Sequence, residues 1–299
     1  MDLGTTENLP VTVQIPGYRL RRQIGSDSIG LWLDAEQVRL KRRVTLKVLR
    51  PQFEQHPAAR KEFLAEMDRL AGLDHPNLLR VLDTVREGTL VLITELTAGK
   101  TLGELLEPKR PLGEAPSVRY ARCIARAAEY LDGKGFAHKN LTPALVQVLD
   151  EERCRLVTFR YVIPKEEQAA LKGKLAQDAQ YVAPEQIAGD APIGARTPTY
   201  QIASLLFHML AGRPPHGPGA PAELARAHLR EEFPSLKRFQ PFLSRGFYGL
   251  LAACTQRDPG ARPSLAELGA ALDKLAAGED PGIAGPVARP VAPRRRRKR

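Results

Sequence analysis

Hydrophobic and polar positions alternate along the first part of the chain. Between residues 18 and 49, three short segments read YRLRRQI, LWLDAEQ and RRVTLKVL, and turn or polar residues separate them. This alternation is typical of β-strands with one buried face. Over residues 58–70 the apolar positions instead recur every three or four residues, and Gly72 follows where a helix would end. The pattern therefore predicts a small antiparallel sheet followed by one helix.

The remainder of the chain changes from strand-like to helical patterning. Two apolar runs at 78–82 and 89–96 predict further strands, whereas helical spacing dominates after about Leu102. A β-rich first third followed by an α-rich remainder predicts an α+β fold of two lobes. We assign residues 17–96 to a small antiparallel-sheet lobe with one helix, and residues 97–276 to a larger, mainly helical lobe.

The two ends of the chain lack such periodicity. We interpret residues 1–16 as a flexible leader and residues 277–299, rich in Pro, Ala and Gly, as a disordered tail, which leaves 17–276 as the folded domain. The net charge is +11, but the terminal run Arg294–Arg299 supplies six of those charges. Three interpretations of this run stay open: a solvated tail, an electrostatic anchor to an anionic membrane surface, and a nucleic-acid contact. Nucleic acid is the least favoured, because no aromatic residues are interleaved with the charges.

Cysteine and histidine usage argues against disulfides and metal sites. Cys123, Cys154 and Cys254 are far apart in the sequence, and an odd count without a secretory signal favours reduced thiols. No apolar run approaches the roughly 18 residues that a membrane span requires. None of the six histidines stands at metal-ligand spacing. We therefore expect a soluble, cytoplasmic protein with no metal site.

One segment between the first two predicted strands has the composition of a phosphate-binding loop. It runs from Gly25 to Gly30 as GSDSIG, and Lys47 follows on the third strand. Glycine permits close backbone approach to a phosphate, and lysine supplies a neutralising charge. By themselves these residues fit a hairpin turn with a surface lysine better. Glu66, on the predicted helix ahead of the phrase HPNLL, adds a carboxylate that can pair with Lys47.

Further short motifs follow this loop in a fixed order. They are APE, GRPP, RDP and RP, beginning at residues 183, 212, 257 and 262. Together with the glycine loop and its lysine, the series resembles the Ser/Thr protein kinase family, especially its bacterial members, over the whole folded domain. The resemblance implies that Glu185 and Arg262 form a buried ion pair. It also implies that Thr94, Glu95 and Leu96 form the hinge beside the nucleotide.

The catalytic positions of that family are replaced in this chain. Where the family has His-Arg-Asp and, five residues after the Asp, an Asn, residues 138–145 read HKNLTPAL. Asn140 therefore stands for the catalytic base, Leu145 for the asparagine that binds the second magnesium ion, and Thr142 for a lysine near the transferred phosphate. Thr158 stands for the Asp of the Asp-Phe-Gly motif, which binds magnesium in the family. No catalytic residue is intact by this comparison.

The nucleotide slot is altered in the same way. Asp27 replaces a glycine of the phosphate loop, Trp32 replaces the valine above the adenine, and Gln147 replaces the leucine below it. We expect no cofactor, or weak ATP binding at most. Arg160, after the altered Asp-Phe-Gly position, suggests the further hypothesis that its guanidinium neutralises nucleotide phosphates without magnesium.

The central helix of the large lobe is predicted to begin near Thr197. The family has an aspartate at the start of this helix, and Pro198 stands there instead. Threonine is a favourable N-cap and proline is favourable in the first turn of a helix. We therefore expect Thr197 to be the N-cap.

The residues together favour a catalytically impaired member of the kinase family, a pseudokinase, that acts as a scaffold or allosteric regulator. Its expected partner is another protein, such as an active kinase. One alternative is an atypical active Ser/Thr kinase in which other carboxylates, such as those at 150–152, bind the metal ion. Another alternative is a tether that binds a membrane or nucleic acid through Arg294–Arg299.

Overall fold

The small lobe is built on an antiparallel five-stranded sheet. The structure, a computed structural model, describes residues 14–26, 28–96, 99–107, 110–157, 162–164, 179–189 and 193–283. The strands are β1 (Tyr18–Ser26), β2 (Gly30–Gln37), β3 (Arg42–Leu49), β4 (Val81–Val85) and β5 (Val91–Glu95). Their order in the sheet is β1-β2-β3-β5-β4. The inward side chains form an apolar core because successive residues of a strand point to opposite faces.

One helix, α1 (Pro57–Ala71), completes the small lobe beside β4. His56 Nδ1 accepts a hydrogen bond from Ala59 N at 3.3 Å and so caps the first turn. Gly72 lies directly after the last residue of the helix. The predicted helix and its end at Gly72 are therefore confirmed, and the buried face of the helix carries Phe63 and Glu66 into the lobe.

The large lobe is mainly helical and contains two short antiparallel strand pairs in the described residues. The strands are β6 (Phe136–His138), β7 (Val146–Val148), β8 (Cys154–Leu156) and β9 (Val162–Pro164), and β6 pairs with β9 while β7 pairs with β8. The helices are α2 (Leu102–Leu106), α3 (Glu114–Gly133), α4 (Pro184–Ala188), α5 (Thr197–Ala211), α6 (Pro221–Arg230), α7 (Arg245–Cys254) and α8 (Leu265–Ala276). The predicted α+β fold of two lobes is confirmed.

Helix α5 lies at the centre of the large lobe and is buried along almost all of its length. The prediction that Thr197 is its N-cap is wrong, because the helix includes Thr197 and the capping position is Arg196. The Thr197 hydroxyl is used elsewhere: it donates to Glu185 Oε1 at 2.7 Å and accepts from Gly194 N at 3.2 Å. A tertiary contact has thus taken the oxygen that local capping would have used.

Both ends of the described chain pack onto the domain. Ile15, which the sequence places in the leader, is buried in the core of the small lobe. Beyond the last helix, which ends at Ala276, Pro281 is also buried. Pro281 therefore packs against the domain beside Gly246, although the sequence places it in the tail. Among the described helices, none has the length and apolarity to cross a membrane.

Candidate functional site

A cleft of about 330 Å³ lies between the first two strands of the sheet and the β7–β8 hairpin. This volume is near the lower end of the ~300 to 1,000 Å³ that small-molecule sites occupy. Gly25, Trp32, Leu145 and Gln147 were predicted site residues, and the fold brings all four together here. The described lining consists of Ile24, Gly25, Ser26, Trp32, Gly99, Thr101, Ala144, Leu145, Gln147 and Val157. Gly30, the first residue of β2, is buried.

The Lys47 ammonium is withdrawn from solvent in a pair with Glu66. Nζ lies 2.8 Å from Glu66 Oε1 and 2.7 Å from Oε2, so the predicted pair is confirmed. Lys47 has 0% of its surface exposed. The ring centroids of Trp32 and Phe63 each lie 5.4 Å from Nζ, within the range of a cation–π interaction.

The position of Trp32 beside this lysine follows from strand register. Trp32 on β2 and Lys47 on β3 are directly opposite each other, and opposite residues of an antiparallel pair point to the same face. A large indole therefore lies beside the ammonium, where a smaller side chain would leave the charge open to the cleft. Trp32 thus both lines the cleft and covers part of the lysine.

An arginine of β8 binds the predicted hinge. Arg155 Nε donates to Gln147 Oε1 at 2.8 Å, and Nη2 donates to the Leu96 carbonyl oxygen at 2.8 Å. Nη1 forms an ion pair with the Glu95 carboxylate. Thr94 Oγ1 also donates to the Glu95 carbonyl oxygen at 3.0 Å. The carbonyl oxygens of Glu95 and Leu96 are therefore already hydrogen-bonded within the protein. The Gln147 side chain, which lines the cleft, is held by the charged guanidinium of Arg155.

The loop after β6 carries three of the predicted catalytic positions. Asn140 is 4% exposed, and its backbone N–H donates to His138 Nδ1 at 3.4 Å. Its side-chain Oδ1 is buried without a hydrogen-bond partner within the described ranges. Thr142 is buried at the start of the 3₁₀ turn that leads into β7, and Leu145 ends that turn and faces the cleft. At these three positions the loop offers an amide, a hydroxyl and an alkyl group.

Two buried glutamines hold this loop to the large lobe. Gln201 Oε1 accepts from Leu141 N at 3.4 Å, and its Nε2 donates to Lys139 O at 3.3 Å. Gln186 Nε2 also donates to Lys139 O, at 2.6 Å, and its Oε1 accepts from Gln201 Nε2 at 3.1 Å. Gln201 lies three residues, about one helical turn, after Pro198, which has no polar side chain of its own. The amide therefore anchors the loop from the neighbouring turn of α5.

The ion pair between Glu185 and Arg262 is formed and fully buried, as predicted. Its two N···O distances are both 2.8 Å, and the fork-to-fork geometry is bidentate. Thr197 adds its hydroxyl to one carboxylate oxygen. The guanidinium also lies 4.9 Å from the centroid of Tyr200, whose pKa is raised by burial. This cluster joins α4 to α5 and to the segment before α8.

The acidic turn at 150–152 lies at the wrong end of its hairpin to reach the cleft. β7 and β8 pair from Val146 opposite Leu156 to Val148 opposite Cys154, and the turn follows Val148. Asp150 there accepts from the backbone N–H and the guanidinium of Arg153, which keeps its pKa below the usual value. The catalytic positions lie at the other end of the hairpin. These carboxylates therefore do not line the cleft.

Several predicted residues lie outside the part of the chain that the structure describes. They are Asp27, Thr158, Arg160 and the run Arg294–Arg299. The predictions for them stay predictions. Within the described ranges, no group of three or more His, Cys, Asp or Glu side chains is placed to hold a metal ion.

Sequence reasoning missed the residues that hold the cleft in shape. Arg155 could have been noticed, because a charge between two apolar residues of a short buried strand needs a partner. Gln201 gave a similar signal, as a polar residue with a large side chain on a mainly apolar helix. Neither signal identifies the partner, since the hinge and the loop are 59 and 62 residues away along the chain.

Comparison with known proteins agrees with this geometry. The protein kinase domain family model matches residues 18–271. The chain is 27% identical to serine/threonine-protein kinase pkn2 of Myxococcus xanthus over 284 residues, which are 90% of this chain and 34% of that protein. It is 27% identical to a probable serine/threonine-protein kinase of Streptomyces coelicolor, covering 82% of this chain and 37% of the relative. For serine/threonine-protein kinase PknB of Mycobacterium tuberculosis the identity is 26%, with 83% and 41% covered. The chain thus spans between about a third and two fifths of these relatives.

Proposed function

Because this chain belongs to the protein kinase family, we propose that it is a kinase-like domain that does not transfer phosphate and acts by binding another protein, as a scaffold or allosteric regulator. Asn140 carries this proposal. It stands where the family has the aspartate that accepts the proton of the substrate hydroxyl. A carboxamide has no basic lone pair near neutral pH, so it cannot take that proton. Loss of a general base costs ~10² to 10⁴ in rate.

The donor set of this cleft does not fit magnesium. Magnesium prefers hard oxygen ligands in octahedral geometry. Leu145, which lines the cleft, offers no oxygen, and residue 158 is a threonine rather than an aspartate. Without the metal ion, the charge that develops on a transferred phosphoryl group lacks its main stabilisation, a term of several kcal/mol. The lost base and the lost metal ligands together support an inactive domain.

Weak nucleotide binding, or none, is the second part of the proposal. The rings of Trp32 and Phe63 cover the Lys47 ammonium, and the lysine has 0% of its surface exposed, so a phosphate in the cleft has little access to Nζ. Gln147, which lines the cleft and accepts a hydrogen bond from Arg155, puts a polar amide where the family has an apolar side chain for the adenine ring.

Retained structure supports a binding role. The Glu185–Arg262 pair is intact and holds helices of the large lobe together. Gln186 and Gln201 likewise hold the backbone of the loop after β6 in place. A chain that keeps its architecture while lacking its reactive groups presents a stable surface to a partner. We propose an active kinase as that partner. If so, adding the chain should change the autophosphorylation rate of an active Ser/Thr kinase from the same genome, and no change with any of them would contradict it.

An atypical active kinase is the second candidate. Two observations favour it: the named relatives are Ser/Thr kinases, and the Lys47–Glu66 pair that active kinases require is formed. The carboxylates at 150–152 cannot supply the metal ligands, because their turn lies at the far end of the β7–β8 hairpin. This candidate therefore needs ligands from residues outside the described ranges.

Nucleotide titration followed by thermal unfolding tests the proposal. ATP at millimolar concentration should leave the Tm unchanged, and adding magnesium should make no difference. A magnesium-dependent rise in Tm that saturates with ATP would contradict it. A rise that persists with chelator and disappears in Arg160→Ala would instead support metal-independent binding through Arg160.

The basic run Arg294–Arg299 is proposed as a separate electrostatic contact with an anionic membrane surface. Co-sedimentation of the full chain with phosphatidylserine vesicles should weaken steeply with salt and should be lost when the six cations are replaced by glutamine. Stronger retention on duplex DNA than on vesicles would contradict the membrane assignment.

A further inference from the structure

Two cysteines that are distant in the sequence lie on neighbouring elements of the large lobe. Cys123 lies on α3, and Cys154 is the first residue of β8. The Cys123 Sγ lies 3.7 Å from the carbonyl oxygen of Glu152, just before β8, and the Cys154 Sγ lies 3.6 Å from the carbonyl oxygen of Tyr120, on α3. Each thiol thus donates into the element that carries the other thiol. The two thiols are close enough for each to shift the pKa of the other.

The two thiols differ in access and in acidity. Cys123 is partly exposed, whereas Cys154 is fully buried. The neighbouring Cys154 side chain is the largest cause that lowers the pKa of Cys123 to about 6, and Arg122 and Arg126 add to it. The same contact, together with burial, raises the pKa of Cys154. Cys123 is therefore the more acidic of the two thiols, and the thiolate is the form that attacks an oxidant.

We propose that Cys123 and Cys154 form a reversible disulfide when the protein meets a hydroperoxide, with Cys123 as the oxidised sulfur and Cys154 as the resolving thiol. Proximity, one exposed member and one buried partner together distinguish this pair from ordinary core cysteines. Cys254 provides the contrast, because it is buried on its own and burial raises its pKa.

The chemistry balances with hydrogen peroxide as the oxidant. The Cys123 thiolate attacks one peroxide oxygen, so an S–O bond forms, the O–O bond breaks, and hydroxide leaves and is protonated to water. Cys154 Sγ then attacks Cys123 Sγ, so the S–S bond forms and the S–O bond breaks. The leaving hydroxide takes the Cys154 proton as a second water. The two thiols of reduced thioredoxin, or two molecules of glutathione, reverse the step by thiol–disulfide exchange.

The crosslink would join α3 to the strand that holds the hinge. The residue after Cys154 is Arg155, which binds Glu95 and Leu96. Closing the loop between residues 123 and 154 restricts the unfolded chain, and an unstrained crosslink of this length should raise Tm by ~7 to 15 °C. Oxidation would therefore stiffen the connection between the large lobe and the hinge.

Peroxide titration of the full chain, followed by alkylation and digestion with an endoproteinase specific for Glu, tests the proposal. The fragments 115–129 and 153–166 contain one cysteine each. In the wild type and in Cys254→Ala they should appear as one linked species lighter by two hydrogen atoms, and dithiothreitol should release them. Cys154→Ala should instead accumulate a sulfenic acid at Cys123 that dimedone traps.

Two outcomes would overturn the proposal. One is the absence of the linked species in the wild type at peroxide concentrations that oxidise Cys123 in Cys154→Ala. The other is equal oxidation of Cys123 and Cys254 in the folded wild type. Because Cys154→Ala leaves a cavity that can impair folding, the alkylation rate of Cys123 in the wild type serves as a second measurement. Its pH profile should have a midpoint near 6, and a midpoint above 8 would also contradict the assignment of Cys123 as the attacking sulfur.

Discussion

Replacing Lys47 by methionine should destabilise the fold strongly, because the lysine is part of the core. Both partners of the Lys47–Glu66 pair are buried, and the lysine is 0% exposed. Methionine removes the ammonium and leaves the Glu66 carboxylate buried beside an apolar side chain. Removing one partner of a buried pair typically costs ~3 to 5 kcal/mol.

The magnitude can be measured as a change in the unfolding temperature. For a domain of this size, 1 kcal/mol corresponds to ~2 to 4 °C, so Lys47→Met should lower Tm by ~10 °C. Arg86→Met is the matched control, because Arg86 pairs with Asp68 on the surface, where the two side chains are 43% and 63% exposed. Surface pairs contribute ~0 to 1 kcal/mol, so this control should stay within ~3 °C of the wild type.

A double substitution separates the lost pair from lost packing. Lys47→Met combined with Glu66→Leu removes both charges, and replacement of a buried pair by apolar residues is often neutral. The double variant should therefore recover most of the Tm lost by Lys47→Met. If Lys47→Met unfolds at the wild-type temperature, the pair does not hold the small lobe, and the reasoning that commits Lys47 to the core fails.

Three further perturbations test other parts of the site. Arg155→Met should remove the hydrogen bond to Gln147 Oε1, lower the free energy of unfolding by ~1 to 3 kcal/mol and speed amide hydrogen exchange at the hinge. Unchanged exchange would show that Arg155 does not hold the hinge. Gln201→Leu should release Lys139 O from one of its two amide donors and lower stability by ~1 to 3 kcal/mol in urea unfolding, and an unchanged midpoint would refute the anchoring role. Burial lowers the pKa of His228 from 6.5 to about 4. The unfolded state therefore binds the proton more readily than the folded state. The free energy of unfolding should fall as the pH drops from 6.5 to 4, by up to ~1.4 kcal/mol per pH unit. His228→Gln should show a smaller loss over that interval, and an equal loss would exclude His228 as its source.

Local patterns predicted the elements of the fold well. The two-residue alternation around β3 and the helical spacing of α1 arise from the geometry of a single element, so they can be read from adjacent residues. The Lys47–Glu66 pair was also predicted, whereas the Glu185–Arg262 pair was predicted only through the resemblance to a known family. Spacing along the chain alone would not have joined residues 77 positions apart, as Glu185 and Arg262 are.

What the sequence did not predict depends on tertiary proximity. The Cys123–Cys154 contact forms because α3 packs against β8, and the separation of the two cysteines in the chain suggested unrelated thiols. Thr197 looked like an N-cap, but Glu185 takes its hydroxyl. In both cases a buried partner from another element decides the role of a small polar group, and local propensity does not contain that information.

Transfer of radiolabelled γ-phosphate from ATP tests the central claim most directly. The full chain would be incubated with magnesium or manganese and a generic protein substrate, next to Lys47→Met and to the variant Asn140→Asp/Leu145→Asn/Thr158→Asp, which returns the family's residues. The account predicts that the wild type incorporates no more label than Lys47→Met, into itself or into the substrate. Stoichiometric incorporation by the wild type that Lys47→Met abolishes would contradict it.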